Sequence, residues 1–516
     1  MRRARPHRIG LLLAYGLVSV ACAGLAGAAR IGHARAEEAT HRWFSVPVEV
    51  SGLPAGAEFV PVSTLVDFTE LQRRLGVPGA VDGHSLRLYR VLPGGGAAEE
   101  PLQFSAALQP RPKTRALLPG TTPAVSYVAE YRAGETPPLR TAGKLAWIVR
   151  AGPGPVRRYR LEFEVPRAGR MIQVPYLPED LHAFDAQGRA TPIRYFPRMQ
   201  IHPQWPLDGA VQISECGQLI TSYHLGPALA QAASPATILR RPFFYPLIGP
   251  DGVGLTEFGK AHDPTGSHAH HYSLWVAHAN VAGENFWSEK GGAIAHQQFE
   301  VQEDGPIFAR LVQTTRWISH GLEYLHERRS ITVYRAAGDF RLMDIELEFS
   351  PAAAKPVELG KTSFGFLALR VAQSMTPFDG GGEILNARGD RNEQSVHTRR
   401  AEWLDQSGPI APGVDAGAAS AAVPPVRWGG IALMDHPSNR NHPTAWHCRN
   451  DGWAGASFNI DGPYTIAVGA TLRLAYRVHL HRHNAVAAMV ARRYEEYRAE
   501  PAIRLGQPAA VAGPGE

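Results

Sequence analysis

The sequence predicts a mainly β fold built from two domains. Its 52 glycines and 42 prolines favour many short strands joined by turns over long helices. Short segments in which apolar and polar residues alternate recur along the chain, and this alternation is the period of a half-buried strand. A length of 516 residues exceeds that of one ordinary domain, and 44% hydrophobic with 19% charged residues is typical of a folded globular chain.

The first 36 residues are typical of an export signal. Basic residues at the start precede an apolar stretch at 11–28, and Ala34-Arg35-Ala36 supplies a small-x-small cleavage pattern. A retained membrane anchor is the alternative, because the apolar stretch is almost long enough to span a bilayer. Cys22 offers a lipoprotein acceptor as a further alternative. We expect removal of residues 1–36 and a periplasmic or secreted protein.

Charge and cysteine content exclude several classes of function. Residues 1–36 hold six of the 53 basic residues and no acidic one, so the rest of the chain has 47 of each sign. No basic surplus remains to bind a polyanion, which argues against a nucleic-acid partner. After cleavage only Cys216 and Cys448 remain. These two cysteines could form one disulfide, which the sequence alone does not decide. The absence of a CxxC motif argues against a thiolate zinc site.

Residues 37–235 are predicted to form a small, β-rich module resembling a sandwich. Three segments alternate in polarity as strands do, namely Val46–Val50, Ser85–Tyr89 and Tyr159–Val165. One helix is predicted at Thr64–Leu75 from its apolar spacing. This module is expected to bind glycan or to position the second domain.

Residues 240–500 are predicted to form the second domain. A hairpin joins Leu325–Tyr334 to Arg341–Phe349, with alternate residues of the second strand facing opposite sides. Residues 409–425, rich in Ala, Pro and Gly, indicate a surface insertion. An amphipathic helix is predicted at Asn484–Glu500, and residues 501–516 are expected to be a disordered tail. The apolar stripe expected on that helix comprises Val486, Met489, Val490 and Tyr494.

A histidine-rich segment at 267–278 is the first candidate site. If the segment is extended, His268 and His270 share one face about 6.6 Å apart and could bind a divalent metal ion together. His270 or His271 is also a candidate general base, because imidazole titrates near neutral pH. A solvated histidine-rich loop is the alternative for this segment.

A second histidine group lies at 435–449, where two prolines predict a loop. We expect its polar side chains to converge with the first group, although hydrogen bonding within the loop would also explain them. Tryptophans flank both groups, and aromatic faces beside such polar groups suit a sugar-binding cleft. The predicted substrate-binding residues are Trp275, Trp287, His436, His442, Trp446, His447 and Arg449. Glu327, beside Arg328, is expected to form an ion pair rather than act as an acid catalyst.

An ordered series of motifs resembles the DUF6807 family, often labelled "PmoA family". The series covers roughly residues 240–485 and comprises Arg241–Gly252, His268–His271, Ser273–Trp275, Asn285–Trp287, Trp403–Gly408, Gly430–Asn439 and Trp446–His447. The resemblance implies an exported protein with a β-sandwich as its C-terminal domain, in a carbohydrate-degradation context. The chain departs from the family pattern at Ser267 and Tyr272, where Asp and Arg are common.

The methane oxygenase subunit behind that label must cross a bilayer several times, and each crossing needs about 20 apolar residues. Beyond residue 28 the chain has no such run. We therefore expect an exported carbohydrate-active protein, a glycoside hydrolase or lyase. The alternatives are a non-catalytic glycan-binding protein that uses the same cleft and a metal-dependent oxidase.

Overall fold

The computed structural model describes residues 42–106 without 78 and 80, then 129–132, 142–165, 171–174, 182–184, 190–192, 199–203, 209–227, 239–259, 268–410 and 427–513. The expected signal, its alternative lipid acceptor Cys22 and nearly all of the expected insertion at 409–425 lie outside these residues. Within the described part of the chain, no helix is long and apolar enough to cross a membrane.

The described residues form 31 strands, three α-helices and a short 3-10 turn at Gln373–Met375. The strands of the N-terminal part are β1 Trp43–Ser51, β2 Phe59–Asp67, β3 Asp82–Val91, β4 Ala97–Glu100, β5 Gln103–Ala106, β6 Ala129–Arg132, β7 Ala142–Arg150, β8 Arg157–Glu164, β9 Met171–Val174, β10 His182–Phe184 and β11 Ala190–Pro192.

The remaining strands are β12 Met199–Pro203, β13 Ala210–Glu215, β14 Gln218–His224, β15 Phe243–Leu247, β16 Leu274–His278, β17 Ala293–Glu303, β18 Phe308–Ser319, β19 Leu322–Tyr334, β20 Phe340–Pro351, β21 Val357–Leu359, β22 Gly365–Arg370, β23 Glu383–Asn386, β24 Trp403–Ile410, β25 Arg427–Asp435, β26 Trp446–Cys448, β27 Trp453–Ala456, β28 Tyr464–Ile466, β29 Leu472–Arg482, β30 Ala502–Leu505 and β31 Ala509–Val511. The helices are α1 Phe68–Leu75, α2 Asn392–Val396 and α3 Val490–Tyr497.

Two small sheets form the N-terminal module. One has the order β30-β1-β8-β3-β4, with β31 also pairing with β1, and the other has the order β2-β7-β5. Apolar side chains of both sheets share one core, which includes Val46, Val62, Trp147 and Leu161. The predicted sandwich-like module is therefore confirmed. Helix α1 begins later than predicted, at Phe68, because the preceding residues still belong to β2.

Two antiparallel sheets of eight strands form the C-terminal sandwich. The first has the order β12-β13-β14-β15-β16-β22-β27-β26, and the second β17-β18-β19-β20-β29-β25-β24-β23. One large apolar core draws residues from both sheets. The mainly β fold with a C-terminal sandwich is therefore confirmed. Strands β12 to β14 pair into this sandwich, so it begins before the expected boundary at residue 240.

The predicted hairpin is confirmed as β19 and β20, and the alternating faces of β20 are also as predicted. Ile345, Leu347 and Phe349 are buried in the core. Glu327 forms an ion pair, as expected, but Arg328 is not its partner. Strand alternation turns Arg328 to the other face, so Glu327 pairs instead with the buried Arg329 at 2.7 Å.

Two predictions about the end of the chain are wrong. Helix α3 spans only Val490–Tyr497, and Val486 and Met489, expected to be buried, are 67% and 43% exposed. The expected disordered tail instead contains β30 and β31, which pair with β1. Backbone pairing with an open strand edge orders a segment whose composition alone indicates disorder.

Candidate functional site

The strongest candidate site is an open pocket of about 510 Å³ on the C-terminal sandwich. It lies across the ends of neighbouring strands of the first large sheet. Arg370 ends β22 directly opposite Trp453, which begins β27, and β27 pairs in turn with β26, which carries His447. The residues that line the pocket are His268, His270, His271, Phe364, Phe378, Glu393, His447, Arg449, Asn450, Asp451 and Trp453.

The first histidine group forms a turn, so the extended segment on which the shared face of His268 and His270 depends is absent there. The backbone N–H of His271 donates to the carbonyl of His268 at 3.0 Å, and β16 begins only at Leu274. The turn is held by Arg241, which donates to the carbonyl of His270 at 3.0 Å. The turn gathers three imidazoles more closely than a strand could, with ring centroids of His270 and His271 4.5 Å apart.

The predicted metal site has only part of what it needs. The ring centroids of His268 and His270 are 6.3 Å apart. Among the described residues, no group of three or more His, Cys, Asp or Glu side chains could hold a metal ion. A closed site requires further ligands beyond this pair. The metal therefore stays a hypothesis based on two histidines.

His271 lies beneath the mouth of the pocket and contacts a buried guanidinium. Its side chain is 2% exposed, and its Nδ1 lies 2.9 Å from Nη1 of Arg370, which is 1% exposed. Burial, reinforced by the positive charge of Arg370, lowers the pKa of His271 far below its ordinary value. The imidazole is therefore a weaker base than an ordinary histidine, and its role as a general base stays a prediction.

Carboxylates offset the cations of the pocket. Arg449 donates to Glu393 at 2.6 Å, and Glu393 also accepts the backbone N–H of Asn450 at 2.9 Å. Burial acts to raise the pKa of Glu393, but these two donors outweigh it and hold the pKa below its ordinary value. On the other side, Arg370 lies 3.6 Å from Asp451. The pocket has no surplus of positive charge among these groups.

His447 lines the same pocket as the first histidine group. Its ring lies 4.4 Å from that of Trp453 and 4.8 Å from that of His397. Burial lowers the pKa of His447 to about 4, with smaller contributions from His397 and Arg449. Its Nδ1 is buried and has no hydrogen-bond partner within the described part of the chain. This nitrogen is a polar group for which a bound ligand would provide a partner.

The aromatic walls differ from those predicted. Trp446 is fully buried, and its indole N–H donates to the carbonyl of Ala401 at 2.8 Å. Trp275 and Trp287 are also buried, with exposures of 1% and 4%, and they support the pocket from behind rather than line it. Trp275 stacks on His271 at 5.5 Å.

Phe364, Phe378 and Trp453 form the aromatic surface of the pocket instead. Phe364 and Trp453 are stacked at 5.9 Å with an angle of 12° between their planes. Phe378 is 77% exposed, which is unusual for a large apolar side chain at the rim of a pocket. Trp453 is one of the tryptophans that flank the histidine groups along the sequence, but it was not among the predicted binding residues. Both phenylalanines were missed, because neither lies near a histidine group along the chain.

His436 and His442 do not join the pocket. His442 lies 2.8 Å from the buried Asp435, which also accepts bonds from Asn439 and from the backbone N–H of Thr444. The ring of His436 packs against Tyr497 of α3 at 5.0 Å. These contacts fold the loop onto the sheet and onto α3, so the alternative of hydrogen bonding within the loop explains both histidines.

The structure places the family departure at Tyr272 and the two cysteines. Tyr272, where the family pattern often has Arg, is 1% exposed, and its hydroxyl donates to Glu289 at 2.7 Å. It does not line the pocket, so this departure leaves the pocket wall unchanged. Cys216 is exposed and Cys448 is buried, and both are free cysteines.

The fold and site define a mainly β-protein with a histidine-rich pocket on its C-terminal antiparallel sandwich. The chain belongs to DUF6807, a family of unknown function whose profile matches residues 210–495. The predicted family is thus confirmed. No curated protein matches the chain.

Solved structures show low similarity to the chain. An α-mannosidase from Enterococcus faecalis V583 has 9% identity and a TM-score of 0.35, covering 89% of this chain and 46% of that one. A glycosyl hydrolase family 38 protein from Enterococcus faecalis has 8% identity and a TM-score of 0.34, covering 89% and 47%. A heparan sulfate lyase HepC mutant from Pedobacter heparinus has 7% identity and a TM-score of 0.26, covering 57% of this chain and 38% of that one. The chain thus spans less than half of each, and TM-scores this low carry no argument about function.

Proposed function

We propose that the pocket binds a carbohydrate and hydrolyses it by acid–base chemistry centred on histidine. The observation that carries this proposal is the pocket itself. One turn presents three imidazoles to a pocket that Phe364, Phe378 and Trp453 also line. The protein would act as an exported glycoside hydrolase.

The shape and lining of the pocket suit a sugar. Aromatic faces pack against the apolar C–H faces of a pyranose, while imidazole, amide and carboxylate groups bind its hydroxyls. The exposed ring of Phe378 supplies such a face at the rim. Because Arg449 is paired with Glu393 and Arg370 lies beside Asp451, a neutral sugar fits this balance better than a strongly anionic one.

Glu393 and His270 suit different parts of an acid–base mechanism. Glu393 is held ionised by Arg449 and by the Asn450 backbone, so it suits stabilisation of positive charge at the anomeric carbon rather than proton donation. His270 lies at the pocket surface and can donate a proton to the departing glycosidic oxygen. Water then adds to the anomeric carbon and returns its proton to the imidazole. A lyase would need a sugar that carries a carboxylate. The pocket offers little unpaired positive charge to bind such a group.

A panel of neutral and uronate-containing glycans tests this proposal with the full chain. Binding is measured by calorimetry, and turnover by the release of new reducing ends or of unsaturated products. We expect His270→Ala to lose turnover and retain binding. Phe378→Ala should weaken binding about 3- to 10-fold, the value of one aromatic contact. His320→Ala is the matched control, because this histidine is 82% exposed in its side chain and does not line the pocket.

Each outcome has a distinct meaning. Binding without turnover by the wild-type protein would replace the hydrolase with a non-catalytic glycan-binding protein. Unsaturated products would assign a lyase. If no glycan binds, or if Phe378→Ala and His320→Ala bind equally to the wild type, the pocket is not a carbohydrate site.

A further inference from the structure

We propose that His271 is a fixed, uncharged N–H donor to an oxygen of the bound substrate, and that Arg370 is the positioning residue that holds it in this form. The assignment of the substrate as a sugar rests on the function proposed above. The assignment of the imidazole form does not, because it follows from the contact between the two side chains.

The proton position follows from what a guanidinium can do. Arg370 has only N–H donors and no acceptor, so the ring nitrogen that faces it must offer a lone pair. That nitrogen is Nδ1, which lies 2.9 Å from Nη1. The neutral ring then carries its single proton on Nε2, and Nε2 is the ring nitrogen left for the pocket that His271 lines. A second proton on Nδ1 would put two N–H groups against each other.

Several side chains surround His271. The rings of His268 and His270 lie 5.2 and 4.5 Å from its ring, and Arg370 of β22 contacts its Nδ1. Trp275 and Trp453 cover the ring without contributing a negative charge. The nearby carboxylates, Glu257 and Asp451, contact Arg370 at 3.7 and 3.6 Å. They stabilise the guanidinium rather than an imidazolium.

Arg370 is held in place on several sides. Its Nη2 donates to the backbone carbonyl of Asp451 at 2.8 Å, and its side chain is 1% exposed. It is the last residue of β22, and its backbone pairs with that of Trp453. A lysine could supply charge here but not the fork of donors that contacts His271 and Asp451 together.

The neighbouring histidines therefore have different roles. His270 transfers protons, whereas His271 donates a hydrogen bond that strengthens as negative charge develops on the substrate oxygen. The guanidinium behind Nδ1 withdraws electron density and makes Nε2–H a better donor. A donor that needs no reorganisation at the moment of reaction is the arrangement that stabilises a transition state most effectively.

Nitrogen NMR of the full chain, labelled with ¹⁵N in histidine only, tests the imidazole form without any substrate. We expect the His271 ring, assigned through its own backbone, to show a protonated Nε2 and an unprotonated Nδ1 at pH 7. In Arg370→Gln, where the side chain can accept as well as donate, the same ring should no longer hold a single tautomer. A wild-type His271 that carries a proton on Nδ1 would overturn the proposal even if no variant folds.

Kinetics then tests the role of the donor once a substrate is found. His271→Gln should lower kcat about 10- to 100-fold with a smaller change in KM, and should leave the pH dependence of kcat unchanged. A change in that pH dependence would show that His271 itself transfers protons, and would refute the donor role. If the NMR result holds but no glycan binds, only the proposed function fails, so the two failures are distinguishable.

Discussion

Substitution of Arg329 by Gln should cause one of the largest losses of stability that a single change can produce in this chain. Arg329 and Glu327 are both buried, and Nε of the arginine donates to the carboxylate at 2.7 Å. The same carboxylate accepts bonds from Thr315 and Trp317, and Arg329 also donates to Tyr223 at 3.2 Å. The network therefore joins strands of both large sheets.

The expected magnitude follows from what the substitution leaves behind. Glutamine removes the charge and the bonds to Glu327 and Tyr223, but the carboxylate stays in the core. Breaking a buried ion pair by removing one partner costs about 3–5 kcal/mol, because the remaining charge is buried without compensation. Arg328, the next residue, pairs with Glu300 on the surface, with side-chain exposures of 38% and 35%. The same substitution there should cost at most about 1 kcal/mol.

Urea denaturation of Arg329→Gln beside Arg328→Gln measures this difference. The pair is a matched comparison, since residue type, strand and substitution are the same and only burial differs. We expect the free energy of unfolding to fall several-fold more for Arg329→Gln. Equal losses in the two variants, or a loss below about 1 kcal/mol for Arg329→Gln, would refute the reasoning from burial.

Two further predictions concern pH and backbone conformation. Burial lowers the pKa of both His278 and His447 from 6.5 to about 4, so between these pH values the unfolded chain binds protons that the folded chain does not. Stability should therefore fall as the pH drops from 6.5 towards 4, by about 3 kcal/mol for each histidine. Urea denaturation at several pH values measures this fall, which should be shallower in His278→Gln; equal slopes would contradict it. Gly452→Ala should lower stability by about 1–2 kcal/mol and weaken ligand binding, because Gly452 has φ of 101° and an added Cβ would lie 2.7 Å from Thr376. Thermal unfolding and calorimetry check both effects, and an unchanged variant would contradict the expected strain.

Local patterns predicted the strands well because alternation along a strand is a property of a few consecutive residues. The hairpin of β19 and β20 and the buried face of β20 follow directly from this period. The same reasoning failed for α3. Arg493 and Glu496 are buried there, because they pair with each other and Arg493 also bonds to Glu58 of the N-terminal module. A hydropathy pattern places both on the exposed face.

The candidate site was only partly visible in the sequence, since strand pairing assembles it. His268, His270, His271, His447 and Arg449 were predicted from clusters of neighbouring residues, and all five line the pocket. Arg370, Glu393 and Phe378 stand alone in the sequence. Their approach to the histidines depends on which strands pair, and on the loops that follow them. No short-range pattern encodes such pairing.

Strand β26 shows why two adjacent residues predicted for one cleft cannot both line it. Successive side chains of a strand point to opposite faces, so Trp446 and His447 must separate. The register of the sheet places His447 beside Gly455, and Gly455 lies beside Ala368 of β22. These two small residues leave room for the ring of Trp453, whose nearest atom would lie 2.9 Å from a Cβ at Gly455. The imidazole therefore faces the pocket, while the indole of Trp446 enters the core between the sheets. Only one member of the pair can contact a ligand, and the sheet assigns that position to the histidine.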